Sequence, residues 1–414
     1  MILSGILGAL ALLSFLLTLW QWSVAWRFPL HRRSAGPQPG TTSPSTDTNE
    51  PGRRPSPQPA VTLLKPLKGC DEHTEACLRS WLAQEYAGEV QTLFAVADLD
   101  DPASDIVKQL LAEFPQRDVQ FVICPEWIGA SAKVSKLAHL EPHAKHEILV
   151  VSDADVRVPA DLLTNVVASL TPSFSSTNEE RVVSSSGAAT VGLVNCFFQL
   201  APPTTLAMHW ETIAINVDFW SQVLQSRSLK PLDFALGAVM VLRRKHLAEI
   251  GGFRALADYL ADDYQLGQRI ARRGYRIELC PVVVECWSPP MSWGEVWRHQ
   301  LRWARTVRVC QPAPYFFSLL SNATLWPLLW LLAHPSLEVL ELSLVFVVGR
   351  IIAARFLHEW LTQATRDFAW WLVPVKDLLQ AAIWALAFAG NRIEWRGEHY
   401  RVRRDGKLEK SPRP

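Results

Sequence analysis

Several acidic residues in this chain stand at the ends of hydrophobic runs, where a carboxylate can do chemistry. In SDAD, Asp153 and Asp155 follow the strand-like run EILVV. Side chains two apart in extended chain point the same way, so both carboxylates can approach one cation. A hard divalent ion, Mg²⁺ or Mn²⁺, is commonly held by one or two carboxylates plus substrate phosphates. An Asx-rich turn closing the strand is the alternative reading of the same tripeptide. Asp98, in ADLDDP, ends an earlier strand-like run. Its neighbours Asp101 and Pro102 read as the cap and first residue of a helix. Asp98 is not explained that way and is a candidate hydrogen-bond partner for a nucleotide base or ribose.

A third acidic site lies in ALADYLADDYQLGQRIARRG. Its apolar stripe runs through Leu256, Leu260, Leu266 or Gly267, and Ile270, and Asp263 takes a place in that stripe where a hydrophobe belongs. An acid on a packed face is costly without a partner, and burial raises its pKa, which suits a general base. Asp262 is expected off the stripe, as part of an acidic first turn. Downstream, SPPMSWGEVWRHQLRWARTVRVC predicts an amphipathic helix with Trp293, Val296, Trp297, Leu301 and Ala304 on one face and Arg298, Arg302, Arg305 and Arg308 on another. Such a helix suits a membrane surface. Arg302 is expected to bind a diphosphate, for which a planar guanidinium is well shaped, and Arg305 and Arg308 to anchor the helix at headgroups.

These residues need a scaffold. From Val61 onward short apolar runs alternate with helical patterns: VTLLK, a helix over 72–84, VQTLFAVA, a helix over 102–113, VQFVI, a helix over 131–140, then EILVVSDAD. That alternation predicts an α/β domain with a mostly parallel sheet, whose ligands bind outside the carboxyl ends of the strands. Asp98 and Asp153 both fall at such ends. A net charge of +1 gives no field for nucleic acid. The seven cysteines form no C-x-x-C pair and read as reduced, cytosol-facing thiols. No Ser/His/Asp or Cys/His arrangement is apparent.

Membrane attachment is expected at both ends. Residues 1–26 contain the uncharged apolar run Ile2–Trp26, long enough to span a bilayer. A signal peptide fits poorly, since no basic residue precedes the run and no A-x-A site follows. Arg27, His31, Arg32 and Arg33 place the next segment in the cytoplasm. Residues 27–60 form a linker whose Pro/Ser/Thr/Gly-rich part, Ser34–Ala60, reads as disordered. The catalytic domain is assigned to 61–290, the amphipathic helix to 291–312, membrane segments to 313–390 and a basic tail to 391–414. Three membrane candidates, Tyr315–Ala333, Leu337–Ala354 and Phe368–Ala389, carry polar groups such as Asn322, Arg350, Lys376 and Asp377. Three full crossings conflict with the tail, whose Arg392, Arg396, Arg401, Arg403 and Arg404 prefer the cytoplasm and so require an even number.

In order, LLKPLKG, Asp98 at a strand end, SDADVRV, ADD and HQLRW resemble the family-two-like glycosyltransferases of the GT-A fold, specifically the ceramide glucosyltransferase group. The resemblance covers roughly 61–308 and implies a Rossmann-like α/β catalytic domain between membrane segments. It implies Asp98 as the base-contacting acid, Asp153 as the nucleotide or metal acid and Asp263 as the catalytic base. Arg302 and Trp303 would then serve the diphosphate and acceptor, and Lys133 in GASAKVSKL the donor. His299 stands where the group has Gln or Arg, so its role is open. LADYLADDYQLG and WRHQLRWARTVR look closer to a bacterial subgroup linked to hopanoid lipids, whose donor carries N-acetylglucosamine.

The expected protein is an integral, multi-pass membrane enzyme with a cytoplasmic catalytic domain. It would move a sugar, glucose in the first place, from a UDP-sugar to a hydroxyl of a membrane lipid with inversion, using a divalent cation. The competing expectations are an N-acetylglucosaminyl transfer to a hopanoid lipid, a processive polysaccharide synthase, and a membrane-anchored scaffold with no catalysis.

Overall fold

Twenty-five uncharged residues form α1 (Ile2–Trp26), which at about 1.5 Å per residue is long enough to cross roughly 30 Å of hydrocarbon. The structure is a computed structural model and describes residues 2–31, 58–171, 189–364, 368–395 and 398–411. Most of the expected linker, together with Arg32, Arg33 and Arg396, lies outside the described residues.

Leucine- and valine-rich runs then alternate with amphipathic ones. They give β1 (Val61–Pro66), α2 (Thr74–Leu82), β2 (Val90–Val96), α3 (Ala103–Glu113), β3 (Asp118–Ile123), α4 (Ala132–Leu140), β4 (Ile148–Ser152), β5 (Val156–Arg157) and α5 (Leu162–Leu170). Every residue of β1 and β4 is buried, as in strands covered on both faces. Next come β6 (Val191–Leu200) and α6 (Leu206–Thr212), which passes through a π-helical stretch, Ile213–Phe219, into α7 (Trp220–Leu229). β7 (Val239–Arg243), α8 (Arg244–Glu249), α9 (Asp262–Arg272) and β8 (Arg276–Cys286) complete the domain.

The sheet order is β3-β2-β1-β4-β7-β6-β8-β5. β1, β2, β3 and β4 are mutually parallel, as are β6 and β8, whereas β7 runs against both β4 and β6 and β5 against β8. The sheet is thus mixed, with most strands in one direction. The reversal at β7 has a use: Val239 pairs with Ser152, so the loop entering β7 lies at the same edge as Asp153.

A capping box, Ser292 with Glu295, starts α10 (Trp293–Cys310). After it come α11 (Pro312–Phe317), a 3₁₀ turn at Ser318–Ser321, α12 (Leu325–Ala333), α13 (Leu337–Thr362) and α14 (Leu372–Phe388). The path bends by 56° between the turn and α12, where Asn322 Oδ1 accepts the Leu325 N–H at 2.9 Å. Trp330 Nε1 reaches Ser4 Oγ at 3.2 Å. Phe346 then stacks on Phe15 at 5.0 Å and Phe356 meets Trp22 at 6.5 Å. α13 therefore runs back beside α1 in the same direction, and its last turns, with Leu357 and Leu361, enter the core of the catalytic domain. Among the described residues, α1 alone, or α1 plus the bent α11–α12 unit, has the length and apolar character to cross a membrane.

The polar residues of the C-terminal segments pair with one another and with the π-helical stretch. Arg350 lies 2.7 Å from Asp218 and 3.0 Å from Asp377, and Lys376 pairs with both acids. Such pairing is what buried charges require. Beyond α14 the expected basic tail is an antiparallel sheet of β9 (Arg392–Trp395), β10 (Glu398–Val402) and β11 (Leu408–Lys410). It rests on the α/β domain through a bridge from Lys407 to Tyr259.

Candidate functional site

At the carboxyl edge of β4, three elements converge on one ammonium group. Ser131 caps α4 by accepting the Val134 N–H at 3.4 Å, which fixes Lys133 in the first turn. Lys133 Nζ stands 2.7 Å from Asp153 Oδ1 and 3.4 Å from Asp262 Oδ2. Burial alone would lower the lysine pKa, but Asp153, Asp262 and Asp263 outweigh it and hold the pKa above the ordinary value.

The D-x-D element differs from the extended geometry expected for it. β4 ends at Ser152, and Ala154 and Asp155 form a turn. That turn is tied down from below: the Asp155 carbonyl accepts the Trp287 N–H at 2.9 Å and the Cys77 thiol at 3.5 Å. Lys65, fully buried on β1, donates to Ser152 Oγ at 3.3 Å and to the Asp153 carbonyl, with its ammonium 4.9 Å from the Trp81 ring centre. Burial pushes its pKa down to about 8, against the pull of Asp155 and Asp153. Asp155 reaches solvent, yet the crowded atoms around it strip water and Asp153 adds repulsion, so its carboxyl rises to about 6.

The helical stripe also needs correcting. Asp262, not Asp263, falls with Leu266, Gly267 and Ile270 among the buried residues of α9; Asp262 and Leu266 are one i, i+4 pair on the same face, whereas Leu256 and Leu260, which extended the expected stripe, precede the helix. Asp262 is thus no plain first-turn acid but a buried partner of Lys133. Asp263 is half-buried, and its Oδ1 accepts the Tyr264 N–H at 2.7 Å. Burial, then the charge of Asp262, raises its carboxyl to about 6; burial raises Asp262 as well, with Lys133 opposing. The loop entering β7 presses on this acid: a Cβ at Gly237 would stand 3.0 Å from Asp263 Oδ2, so a glycine is what lets the loop approach.

Fully ionised, the four acids Asp153, Asp155, Asp262 and Asp263 exceed the two ammonium groups Lys65 and Lys133 by two negative charges. Oxygen donors with that excess fit a hard divalent cation at Asp153 and Asp155. Among the described residues no group of three or more His, Cys, Asp or Glu could hold a metal. The remaining ligands would come from a diphosphate and water, as is usual for Mg²⁺.

Asp98 lies apart. It is exposed after β2, and its Oδ1 accepts the Asp100 N–H at 3.1 Å, a local turn bond. Asp101 stands one residue before Pro102, the N-cap of α3, and accepts the Ala103 N–H at 3.0 Å and that of Gly69 at 2.9 Å. Among the described residues no hydrogen bond or ion pair joins Asp98 to the Lys133 cluster, although it shares its sheet edge.

On α10, Trp303 packs 5.6 Å from Phe219 and 6.4 Å from Phe198 by ring centres. His299 Nδ1 is 2.5 Å from Glu211 Oε1, and Gln300 Nε2 donates to the same oxygen at 2.9 Å. Glu211, 1% exposed, escaped the sequence reading, as did Lys65. An acid inside the apolar stretch LAMHWETIAI is the signal that could have found it. Arg305 and Arg308, expected at headgroups, bond the Arg392 carbonyl and Asn391 Oδ1 and so hold the start of the C-terminal sheet. Arg302 is half-buried on the same helix, whose end joins α9 where Tyr264 Oη donates to the Cys310 carbonyl at 2.8 Å.

Known proteins resemble this chain in both sequence and fold. A ceramide glucosyltransferase of Candida albicans is 35% identical over 121 residues, 27% of this chain and 22% of that protein. Ceramide glucosyltransferase 3 of Caenorhabditis elegans is 22% identical over 53% of this chain and 44% of its own length. An N-acetylglucosaminyltransferase of Bradyrhizobium diazoefficiens is 24% identical over 60% of this chain and 49% of its own. The matches thus span less than half of each of these relatives. Among solved structures, the mannosyltransferase PcManGT of Pyrobaculum calidifontis, in complex with GDP-Man and Mn²⁺, superposes with a TM-score of 0.53 at 20% identity, covering 93% of this chain and 96% of that one. That likeness shows the GT-A fold. Residues 7–408 match the sequence pattern of glycosyl transferase family 21, and the chain belongs to that family.

Proposed function

We propose that this family 21 member is an inverting glycosyltransferase that moves a sugar from a UDP-sugar to a hydroxyl of a membrane lipid. The observation carrying the proposal is the Lys133 bridge between Asp153 and Asp262, with Asp263 beside it at the carboxyl edge of the sheet. That edge is where α/β sheets bind nucleotides.

In this reading Asp263 is the general base. Its carboxyl, raised to about 6, is mostly ionised near neutral pH yet basic enough to take the proton of the attacking lipid hydroxyl, which contributes about 10²–10⁴-fold in typical enzymes. Asp153 and Asp155 would hold a divalent cation, Mg²⁺ or Mn²⁺, which when bound neutralises charge building on the departing diphosphate. The Mn²⁺ and GDP-Man in the fold neighbour support a cation and a nucleotide-sugar here. Arg302 adds a guanidinium clamp on the diphosphate, Trp303 lines the acceptor side, and Asp98 contacts the nucleoside. Lys133 holds Asp153 and Asp262 close together, and Lys65 fixes the turn that carries Asp153. His299 serves to hold Glu211 and, through it, α6 against α10.

For topology, α1 spans the bilayer, the bent α11–α12 unit and α13 form a hairpin that enters and returns, and the catalytic domain with its C-terminal sheet lies on the cytoplasmic side. Arg27 and His31 after α1 support that side. Glucose is the first donor sugar on the resemblance to ceramide glucosyltransferases. N-acetylglucosamine is the second reading, supported by the Bradyrhizobium relative matched over 60% of this chain. Mass spectrometry of lipids from cells expressing the protein identifies sugar and acceptor together. A new glycolipid absent from cells with Asp263→Asn is the expected result, and no change in any lipid would count against the proposal.

A further inference from the structure

The segment Ala257–Leu260 is held from two sides. On one, Ser131 donates its N–H to the Ala257 carbonyl at 2.8 Å, and the Ala130 N–H reaches Asp258 Oδ1 at 3.2 Å. These bonds tether the start of α4, two residues before Lys133. The approach is close: a Cβ at Gly129 would stand 2.7 Å from both the Ala257 Cβ and Asp258 Oδ1. On the other side, the Leu408 N–H meets the Asp258 carbonyl at 2.7 Å, and the Leu260 N–H meets the Gly406 carbonyl at 3.4 Å. Leu260 and Leu408 share a small apolar core with Ile393, Tyr400 and Val402, packed against Ala130 of the α4 loop and Val309 of α10. Arg305 and Arg308 grip the strand leading into the same sheet.

The C-terminal sheet therefore touches the lead-in to α4, the lead-in to α9 and the end of α10. Those three elements carry Lys133, the pair Asp262 and Asp263, and Arg302. We infer that the C-terminal sheet is a clasp that sets the spacing of the site, with Asp258 as the positioning residue at its centre, although the sheet supplies no group to the reacting atoms. Bringing catalytic groups into register matters because a displacement near 1 Å can cost about 10²-fold in rate. This inference rests on the transferase reading above, since a clasp has a rate to protect only if the site turns over.

The test uses the full chain in lipid nanodiscs with UDP-glucose and UDP-N-acetylglucosamine as donors. Asp258→Ala removes the side-chain acceptor, Asp258→Asn keeps an oxygen acceptor there, and Leu408→Asp disrupts the small core. Hydrogen exchange, read by mass spectrometry over 128–134 and 261–266, should quicken at both segments in Leu408→Asp, quicken over 128–134 in Asp258→Ala, whose backbone bond to Leu408 remains, and stay near native in Asp258→Asn. kcat should fall about tenfold or more in the first two and stay within about twofold in Asp258→Asn, with the fall in kcat exceeding any rise in donor KM. Unchanged exchange at either segment in Leu408→Asp overturns the clasp whatever the activity. Quickened exchange with native kcat, or equal loss in Asp258→Ala and Asp258→Asn, overturns it as well. Native protein that turns over neither donor counts against the transferase reading, while the exchange data still decide whether the sheet holds both segments.

Discussion

The Lys133 ammonium lies 2.7 Å from the Asp153 carboxylate, joining the helix that follows β3 to the turn that follows β4. The same ammonium reaches α9 through Asp262 at 3.4 Å. Removing it would leave the buried Asp262, and the partly exposed Asp153, without their cation. Lys133→Met should therefore destabilise the protein by roughly 1–3 kcal/mol, the cost of unpairing one buried polar group, since solvent screens Asp153. Calorimetric melting in detergent checks this, and an unchanged Tm would mean the pairing carries little weight.

The excess of negative charge at the site makes a second expectation. Activity should vanish in excess chelator and return with Mg²⁺ or Mn²⁺, and Asp153→Ala should weaken both cation and donor binding. Titration calorimetry with the free nucleotide, in the presence and absence of Mn²⁺, separates the two. Full turnover with chelator present would remove the cation from the account.

The pH dependence has a definite sign. Asp155 and Asp263 rise from the usual 3.8 to about 6 in the folded state. Acids raised on folding favour the folded state most when protonated, so their contribution is fully present below about pH 4 and is lost as pH rises through about 6. The unliganded protein should thus lose stability from these groups between pH 4 and 6. Activity should run the opposite way, because the base must be ionised: kcat/KM should fall below about pH 6. Parallel melting and rate profiles test this, and two curves moving together would contradict it.

His299 gives a prediction on α10. It holds Glu211, a carboxylate only 1% exposed, so His299→Ala should cost roughly 1–3 kcal/mol by stripping a partner from a buried group. His299→Gln, which can still donate, should recover most of that stability and activity. Equal loss in both variants would point to a role for the imidazole itself.

Much of this site could be read from the chain because strand ends and turn acids are local features. SDAD after EILVV and the double acid before YQLGQRI each announce themselves within a few residues, whereas Lys133 is singled out only by the family resemblance. The phase of α9 did not, since Leu256 and Leu260, which seemed to extend its apolar stripe, lie in a 3₁₀ turn and a loop ahead of the helix and do not share its period. Lys65 and Glu211, both buried, stayed hidden because each looks like an ordinary charged residue until its partner, Asp153 or His299, arrives from elsewhere in the chain. The small C-terminal sheet was missed for a similar reason. Its strands are short and rich in arginine, and they are held by Asp258, Arg305 and Arg308 rather than by their own pattern.

The most direct test of the proposed reaction compares native protein with Asp263→Asn, using UDP-sugar, Mn²⁺ and lipid acceptor in nanodiscs and quantifying glycolipid and released nucleotide. The substitution keeps the size of the side chain but cannot take the acceptor's proton. Native protein should form the glycolipid, and Asp263→Asn should lower kcat by about 10²-fold or more with donor affinity changed only a few-fold. Asp262→Asn is expected to lose stability as well as rate, since it removes one of the two carboxylates paired with Lys133. A kcat for Asp263→Asn within about threefold of native would contradict Asp263 as the base, and native protein that forms no glycolipid would contradict the transfer itself.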